Sequence, residues 1–401
     1  MSKTTIPIAG QTPPAYGGPA ILSGAYRVFF PAAALWAVAS LALWLLYVSS
    51  LGGDFGANQN MMIWHAHELV YGYGGAVVAG FALTAIPNWT GRTPVRGAEL
   101  LLLFALWFVA RATAVMLLYG VDAEHPRAVA EIAFYGLFVL VAAREIIGGK
   151  NWRNLKIVAV FLLLVAAALA ANMQRLGVFS SALSGWETGL SVLLLLICVI
   201  GGRIIPAFTT NWMRGQGIEK LPVMFNHFDA LAIVVAAAVL AAYLLGAGGP
   251  FFTLAAAVAA AFHYVRLYRW RGFATLKSPI VTALHVSYFW VPTGFLLLAF
   301  AEADFISDIA ALHAFAVGGI GSTTLAVMTR ASLGHAGLPL ADSKLLTSIY
   351  MAVNLSAISR VVATLWFSEY ENFLSISGLL WLAAFLLFLW KFGPLAFQRR
   401  N

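Results

Sequence analysis

WHAHELVYGYGGAVVAGFALTAIPNWTGR, residues 64–92, decides the fold. From Leu69 to Ile86 the stretch is almost wholly apolar or glycine, and with Met61-Met62-Ile63 ahead of it the run reaches the roughly 20 residues needed to cross a bilayer core. Pro87-Asn88-Trp89 and Arg92 close it, as polar and aromatic residues close a span at the interface. The unusual part is the other end, where His65, His67 and Glu68 enter the apolar run. Ionisable groups inside a span are costly and mark function by default. Imidazole suits copper, zinc and iron, so the cluster is read as a metal or haem site. A regular helix turns residues two apart about 200° away from each other, so His65 and His67 are expected to serve different partners. Glu68 could orient an imidazole N–H.

The rest of the chain agrees with a membrane setting. Of 401 residues, 61% are apolar and 10% charged, against about 25% charged in soluble domains. The mean hydropathy is +0.86. The net charge of +8 does not point to nucleic acid, because membrane proteins collect Lys and Arg on cytoplasmic loops. The single cysteine, Cys198, excludes an intramolecular disulfide, a CxxCH haem attachment and thiolate metal clusters.

The pattern predicts an all-α integral membrane protein of twelve spans, at 26–50, 63–87, 98–119, 127–147, 155–173, 186–207, 227–246, 250–269, 279–301, 306–329, 343–365 and 373–395. Residues 1–25 read as a mobile cytoplasmic tail, 26–395 as one membrane domain and 396–401 as a basic cytoplasmic tail. Placing both termini in the cytoplasm puts most of the 24 Lys and Arg inside and leaves acidic loops outside, with Asp54, Asp122, Glu124, Glu302, Asp304, Asp308, Glu369 and Glu371. Spans 2, 6 and 10 end in related ways, AIPNWTGR, GGRIIPAFTTNW and GIGSTTLAVMTRASLGH, a spacing that would suit three arcs of four helices, a pseudo-threefold bundle.

This topology sorts the histidines by depth. His65, His67 and His313 fall near the outer face; His263, His285, His227 and His335 fall toward the inner half; His125 lies in an outer loop. Two metal sites are therefore expected, one at each level, and three imidazoles at one depth would suit copper. Glu68 and Glu131 are candidate proton carriers. Tyr288, three residues after His285 and on the same face, is a candidate proton donor. Arg203, Arg330 and the cluster Arg266, Arg269 and Arg271 could pair with haem propionates, or simply set topology. The competing reading is a proton or substrate pathway in a transporter, with Glu131, Arg111 and Arg360 on its wall; the two arginines could equally snorkel to the outer interface.

Four motifs in order, WHAHELVYGY–GFALTAIPNWTGR, GGRIIPAFTTNW, LHVSYFW and HAFAVGGIGSTTLAVMTRASLGHAG, resemble the NnrS family across residues 26–365. The family pattern falls on His65, His67, Glu68, His285, His313, Arg330 and His335, with a histidine also expected near His263; His227 and His125 have no counterpart. The resemblance implies a bacterial inner-membrane protein of twelve spans, associated with haem and copper and with the response to nitric oxide and nitrosative stress. Haem b and copper are the expected cofactors and nitric oxide the expected ligand. By analogy with haem–copper oxidases and nitric oxide reductases, the expected activity is handling NO or reducing it to N2O. A transporter of a metal or iron–nitrosyl species and a haem-based NO sensor are the alternatives.

Overall fold

The computed structural model describes residues 16–49, 51, 59–179, 183–340 and 343–398. Among these the chain forms twelve long helices and no strand. They are α1 (Ala25–Val48), α2 (Met61–Thr90), α3 (Ala98–Leu118), α4 (Glu124–Gly148), α5 (Leu155–Arg175), α6 (Gly185–Gly215), α7 (His227–Leu244), α8 (Pro250–Arg269), α9 (Pro279–Glu302), α10 (Asp308–Ala336), α11 (Lys344–Leu365) and α12 (Tyr370–Phe392). Each apolar run in the sequence corresponds to one helix. Eleven are long and apolar enough to cross a membrane. The exception is α4, whose 25 residues include Glu124, Arg127, Glu131, Arg144 and Glu145; most of these charges are paired inside the bundle, as shown below. Two helices outrun the expectation: α6 continues to Gly215, and α10 to Ala336, which places His335 in a helical turn instead of a loop.

Local chemistry sets the helix ends. The side chains of Asn60, Ser307 and Ser343 accept backbone N–H bonds at the starts of α2, α10 and α11. Asn226 and Asp229 form a reciprocal capping box on α7. Both α2 and α10 stop at a glycine in the left-handed region, Gly91 (φ 70°) and Gly337 (φ 73°), where a side chain would be strained.

The same two helices share a rarer feature. Each opens as an α-helix, widens into a π-helical stretch directly after a histidine (Glu68–Gly74 after His67, Ala314–Ser322 after His313), and returns to α geometry. Such stretches are uncommon and concentrate at functional sites.

Helices α2, α6 and α10 touch one another at the centre, and with α9 they are the most enclosed of the apolar helices. The ring around them closes where α1 packs on α12. Trp381 of α12 donates to Ala37 O at 3.1 Å. Arg27 donates to Leu395 O and Gln398 O, both at 2.6 Å. The start of α1 and the end of α12 thus meet at one end of the bundle, called here the terminal end; loops 119–123, 245–249 and 303–307 lie at the opposite, distal end.

Of the expected tail, residues 1–15 lie outside the described residues. The rest is not free of the bundle: Leu22 O accepts from Gly97 N at 3.0 Å, and the Tyr16 ring lies 5.5 Å from the Arg96 guanidinium. Of the expected C-terminal tail, 399–401 lie outside the described residues, and residues before it form a short turn, Gly393–Ala396.

The α1–α2 seam depends on Gly80. A Cβ there would meet Phe29 and Phe30 at 2.9 Å. Gly80→Leu is expected to destabilise the protein by about 1–3 kcal/mol through overpacking, read as thermal unfolding in detergent. An unchanged midpoint would mean that α1 and α2 do not meet at this residue.

Candidate functional site

Four helices contribute to a buried charge network one to two turns below the distal end. Glu68 begins the π stretch of α2. Arg111 of α3 donates from Nη1 to Glu68 Oε2 and from Nη2 to Glu131 Oε2 of α4, clamping the two carboxylates. Arg127 of α4 donates to the other Glu68 oxygen at 3.0 Å. Glu131 Oε1 accepts from His67 Nε2 at 2.8 Å and from Asn172 Nδ2 of α5 at 2.8 Å. Every member is nine-tenths or more buried. Two guanidinium ions balance two carboxylates, which is how charges persist away from water. Toward the surface the network continues through Glu124, 3.7 Å from Arg127 and 2.6 Å from Arg175.

The network also explains how the π stretch is tolerated. A widened helix turn frees carbonyls from the regular ladder, and in a membrane each must find a donor. Trp36 Nε1 reaches Glu68 O at 3.3 Å, Trp107 Nε1 reaches Gly72 O at 2.8 Å and Tyr135 OH reaches Tyr71 O at 2.8 Å. Tyr71 OH in turn donates to Gly185 O of α6 at 2.6 Å. Helices α1, α3, α4 and α6 therefore all hold this one segment of α2.

His65 lies apart from this network. Its ring stacks on Trp44 of α1, centroids 4.6 Å apart, and its Nδ1 is buried with no hydrogen-bond partner. Arg360 of α11 is close enough to act electrostatically on both His65 and His313. His313 Nδ1 lies 2.9 Å from Ile309 O. A carbonyl only accepts, so Nδ1 carries the proton and Nε2 keeps its lone pair. His65 and His313 thus both stand in the first turns below the distal end, and neither joins the Glu131 network.

At the terminal half the expected inner group does not assemble. His263 has both nitrogens engaged: Nε2 donates to Ala232 O at 3.2 Å, and Nδ1 is 2.8 Å from Tyr288 OH. Tyr288 OH also accepts from Arg266 Nη1 at 2.7 Å, and Arg266 Nε donates to Asp229 Oδ1 at 2.8 Å. The result is a buried chain Asp229–Arg266–Tyr288–His263 linking α7, α8 and α9. Tyr288 therefore serves His263, not His285. His285 Nε2 is 2.8 Å from Thr209 Oγ1, whose hydroxyl is already donated to Ile205 O; this leaves His285 Nδ1 as a buried lone pair without a donor, packed on Gly272. The His335 ring lies tilted against Tyr26, centroids 5.3 Å apart, and His227 is exposed at the first position of α7. Among the described residues no three His, Cys, Asp or Glu are placed to hold one metal ion.

The arginines separate in the same way. Arg111 does not snorkel; it is the clamp of the network. Arg203 donates to Asn154 Oδ1 at 3.2 Å, and the Arg330 guanidinium lies 3.7 Å over the Phe208 ring. Arg266 and Arg269 are both held to Asp229. Arg127, Asn172 and Asp229 carry weight that the sequence reading missed. Arg127 and Asp229 were legible as charges just inside a span start, and Asn172 as an amide near a span end.

Fold and site together define a polytopic all-α membrane protein with a buried, charge-balanced centre beside a pair of histidines that keep free nitrogens. The chain belongs to the NnrS family: the profile described as NnrS protein matches residues 20–400, nearly the whole length. That membership suggests a role in the nitric oxide response. No curated protein matches the chain.

The buried clamp makes a sharp stability prediction. Arg111→Met leaves two carboxylates facing each other without their shared cation, and is expected to cost about 3–5 kcal/mol. Denaturant or thermal unfolding in detergent checks it. A loss within about 0.5 kcal/mol, typical of a surface change, would show that Arg111 does not hold Glu68 and Glu131.

Proposed function

We propose that this protein is a twelve-span bacterial inner-membrane protein, termini in the cytoplasm, that binds and handles nitric oxide at a haem held from the distal, periplasmic side by His65 or His313. The observation that carries this reading is the pair of free imidazole nitrogens, Nδ1 of His65 and Nε2 of His313, beside the widened turns of α2 and α10. Imidazole is a common haem ligand, and these two side chains, His313 with its tautomer set by Ile309 O, are the ones that would hold the group. They do not fit a copper centre of three imidazoles, because His67 and His263 are engaged elsewhere and the inner histidines are dispersed.

Haem would supply an iron that binds NO. The chain's own residues do the rest. His313 is oriented by its bond to Ile309 O, and Trp44 covers the His65 ring. Glu68 and Glu131, the candidate proton carriers, stand paired to arginines, so any proton they carry must first displace a guanidinium contact. Reduction of two NO to N2O and water takes two electrons and two protons; turnover of this kind, and protection from nitrosative stress through it, is the further activity the family membership favours.

The even helix count and the contact of Arg27 with the carbonyls after α12 support both termini on one side. The central trio α2, α6 and α10 supports three arcs of four helices. The distribution of Lys and Arg supports the cytoplasmic side for the terminal end. The buried network of α2 to α5 also favours a second reading, a transporter whose substrate passes these charges.

Absorption spectroscopy and metal analysis of the purified full chain separate the readings. A Soret band that shifts with NO is expected; N2O formed on adding a reductant would extend binding to turnover. A preparation with no haem, copper or iron would remove the redox reading and leave transport. For topology, a cysteine placed at Asp122 should label from the periplasm and one at Lys220 should not. The reverse pattern would invert the orientation.

A further inference from the structure

Five arginines are buried among the described residues, and four of them have an evident counterpart. Arg27 faces backbone carbonyls, Arg111 and Arg127 face glutamates, and Arg266 faces Asp229. Arg360 is the exception. It is 8% exposed and its Nη1 is buried with no partner. It hydrogen-bonds the neutral side chain of Tyr370, whose ring centroid lies 5.7 Å away; its helix packs against the turn of α10 that ends in His313, and its charge acts on the imidazoles of His65 and His313. No carboxylate among the described residues compensates it. A buried cation without an anion is costly, and in the neighbouring network this same chain supplies an acid for every such cation.

The three groups lie at one depth. His65 is four residues into α2, His313 five into α10, and Arg360 five from the end of α11. At the helical rise these are about 6–8 Å below the distal end. His65 Nδ1 is a second buried polar atom there with nothing bound to it.

We propose that Arg360, at the depth of His65 and His313, forms a distal-end site for a small monovalent oxyanion or carboxylate. One uncompensated guanidinium matches a single negative charge. Charge-assisted N–H bonds to a two-oxygen anion are the strong interaction that guanidinium makes. Two sources share this chemistry. One is a free anion such as nitrite, the oxidised product of NO in aerated water. The other is the propionate of a haem held by the same histidines, and this second source rests on the haem reading above.

The test uses detergent-purified full-length protein at low ionic strength, titrated calorimetrically with sodium nitrite, with haem measured on the same samples. Wild type is compared with Arg360→Gln, Arg360→Lys and Arg214→Gln, the last an exposed arginine at the opposite end. If the anion is free, wild type binds nitrite, Arg360→Gln weakens binding by about tenfold or more, Arg360→Lys falls between because an ammonium lacks the planar fork, and Arg214→Gln is unchanged. If the anion is a propionate, wild type holds haem and takes no nitrite, and both Arg360 variants retain less haem while Arg214→Gln retains it in full. Should Arg360→Gln fail to fold, Arg360→Lys still decides, since it keeps the charge. Equal nitrite affinity and equal haem content in wild type and both Arg360 variants would overturn the proposal, as would a wild type with neither nitrite binding nor haem. Nitrite binding that depends on Arg360 in haem-free protein would sustain this site while removing the haem reading.

Discussion

Arg111 holds Glu68 and Glu131 together in a place where water cannot. Much of the distal half follows from that constraint. Two carboxylates so close would repel strongly in low dielectric, so α3 must deliver its guanidinium between α2 and α4. Arg127 and Asn172 then complete the remaining acceptor positions from α4 and α5. The π stretch begins at Glu68, and its freed carbonyls are met by the indoles of Trp36 and Trp107 and the hydroxyl of Tyr135. Charge pairing and backbone satisfaction thus fix the same residue of α2 from both sides.

This division gives the two histidines of the WHAHE motif different tasks. His67 donates to Glu131 and belongs to the brace. His65 stacks on Trp44 and keeps a nitrogen free. The brace pairs each of its buried carboxylates with a guanidinium, whereas no carboxylate among the described residues faces Arg360. Two histidines, two residues apart on one helix, thus meet different partners, and the same arrangement of histidine followed by a widened turn recurs in α10.

Helix positions were legible from hydropathy because each span must carry its own apolar run, whatever it packs against. The opposition of His65 and His67 was legible for a similar reason, being a property of one helix. Partners were not legible, because they depend on which helices become neighbours. Spacing places Tyr288 on the face of His285, but packing turns its hydroxyl to His263 and Arg266 of α8. Arg111 read as the wall of a pathway or as a snorkelling residue because nothing in its own span reveals the two acids across the interface. Arg127 and Asp229 sit at span edges, where charges are ordinary. The four inner histidines lie toward one end but on four helices with different partners, so depth alone overstated their grouping.

The separation of His65 from His67 is tested most directly by comparing His65→Ala with His67→Ala, measuring bound haem per chain and the thermal midpoint on the same purified samples. The account predicts that His65→Ala nearly keeps its midpoint and, alone or combined with His313→Ala, loses haem, whereas His67→Ala keeps haem and unfolds at lower temperature. Loss of haem in His67→Ala with full retention in His65→Ala would contradict it.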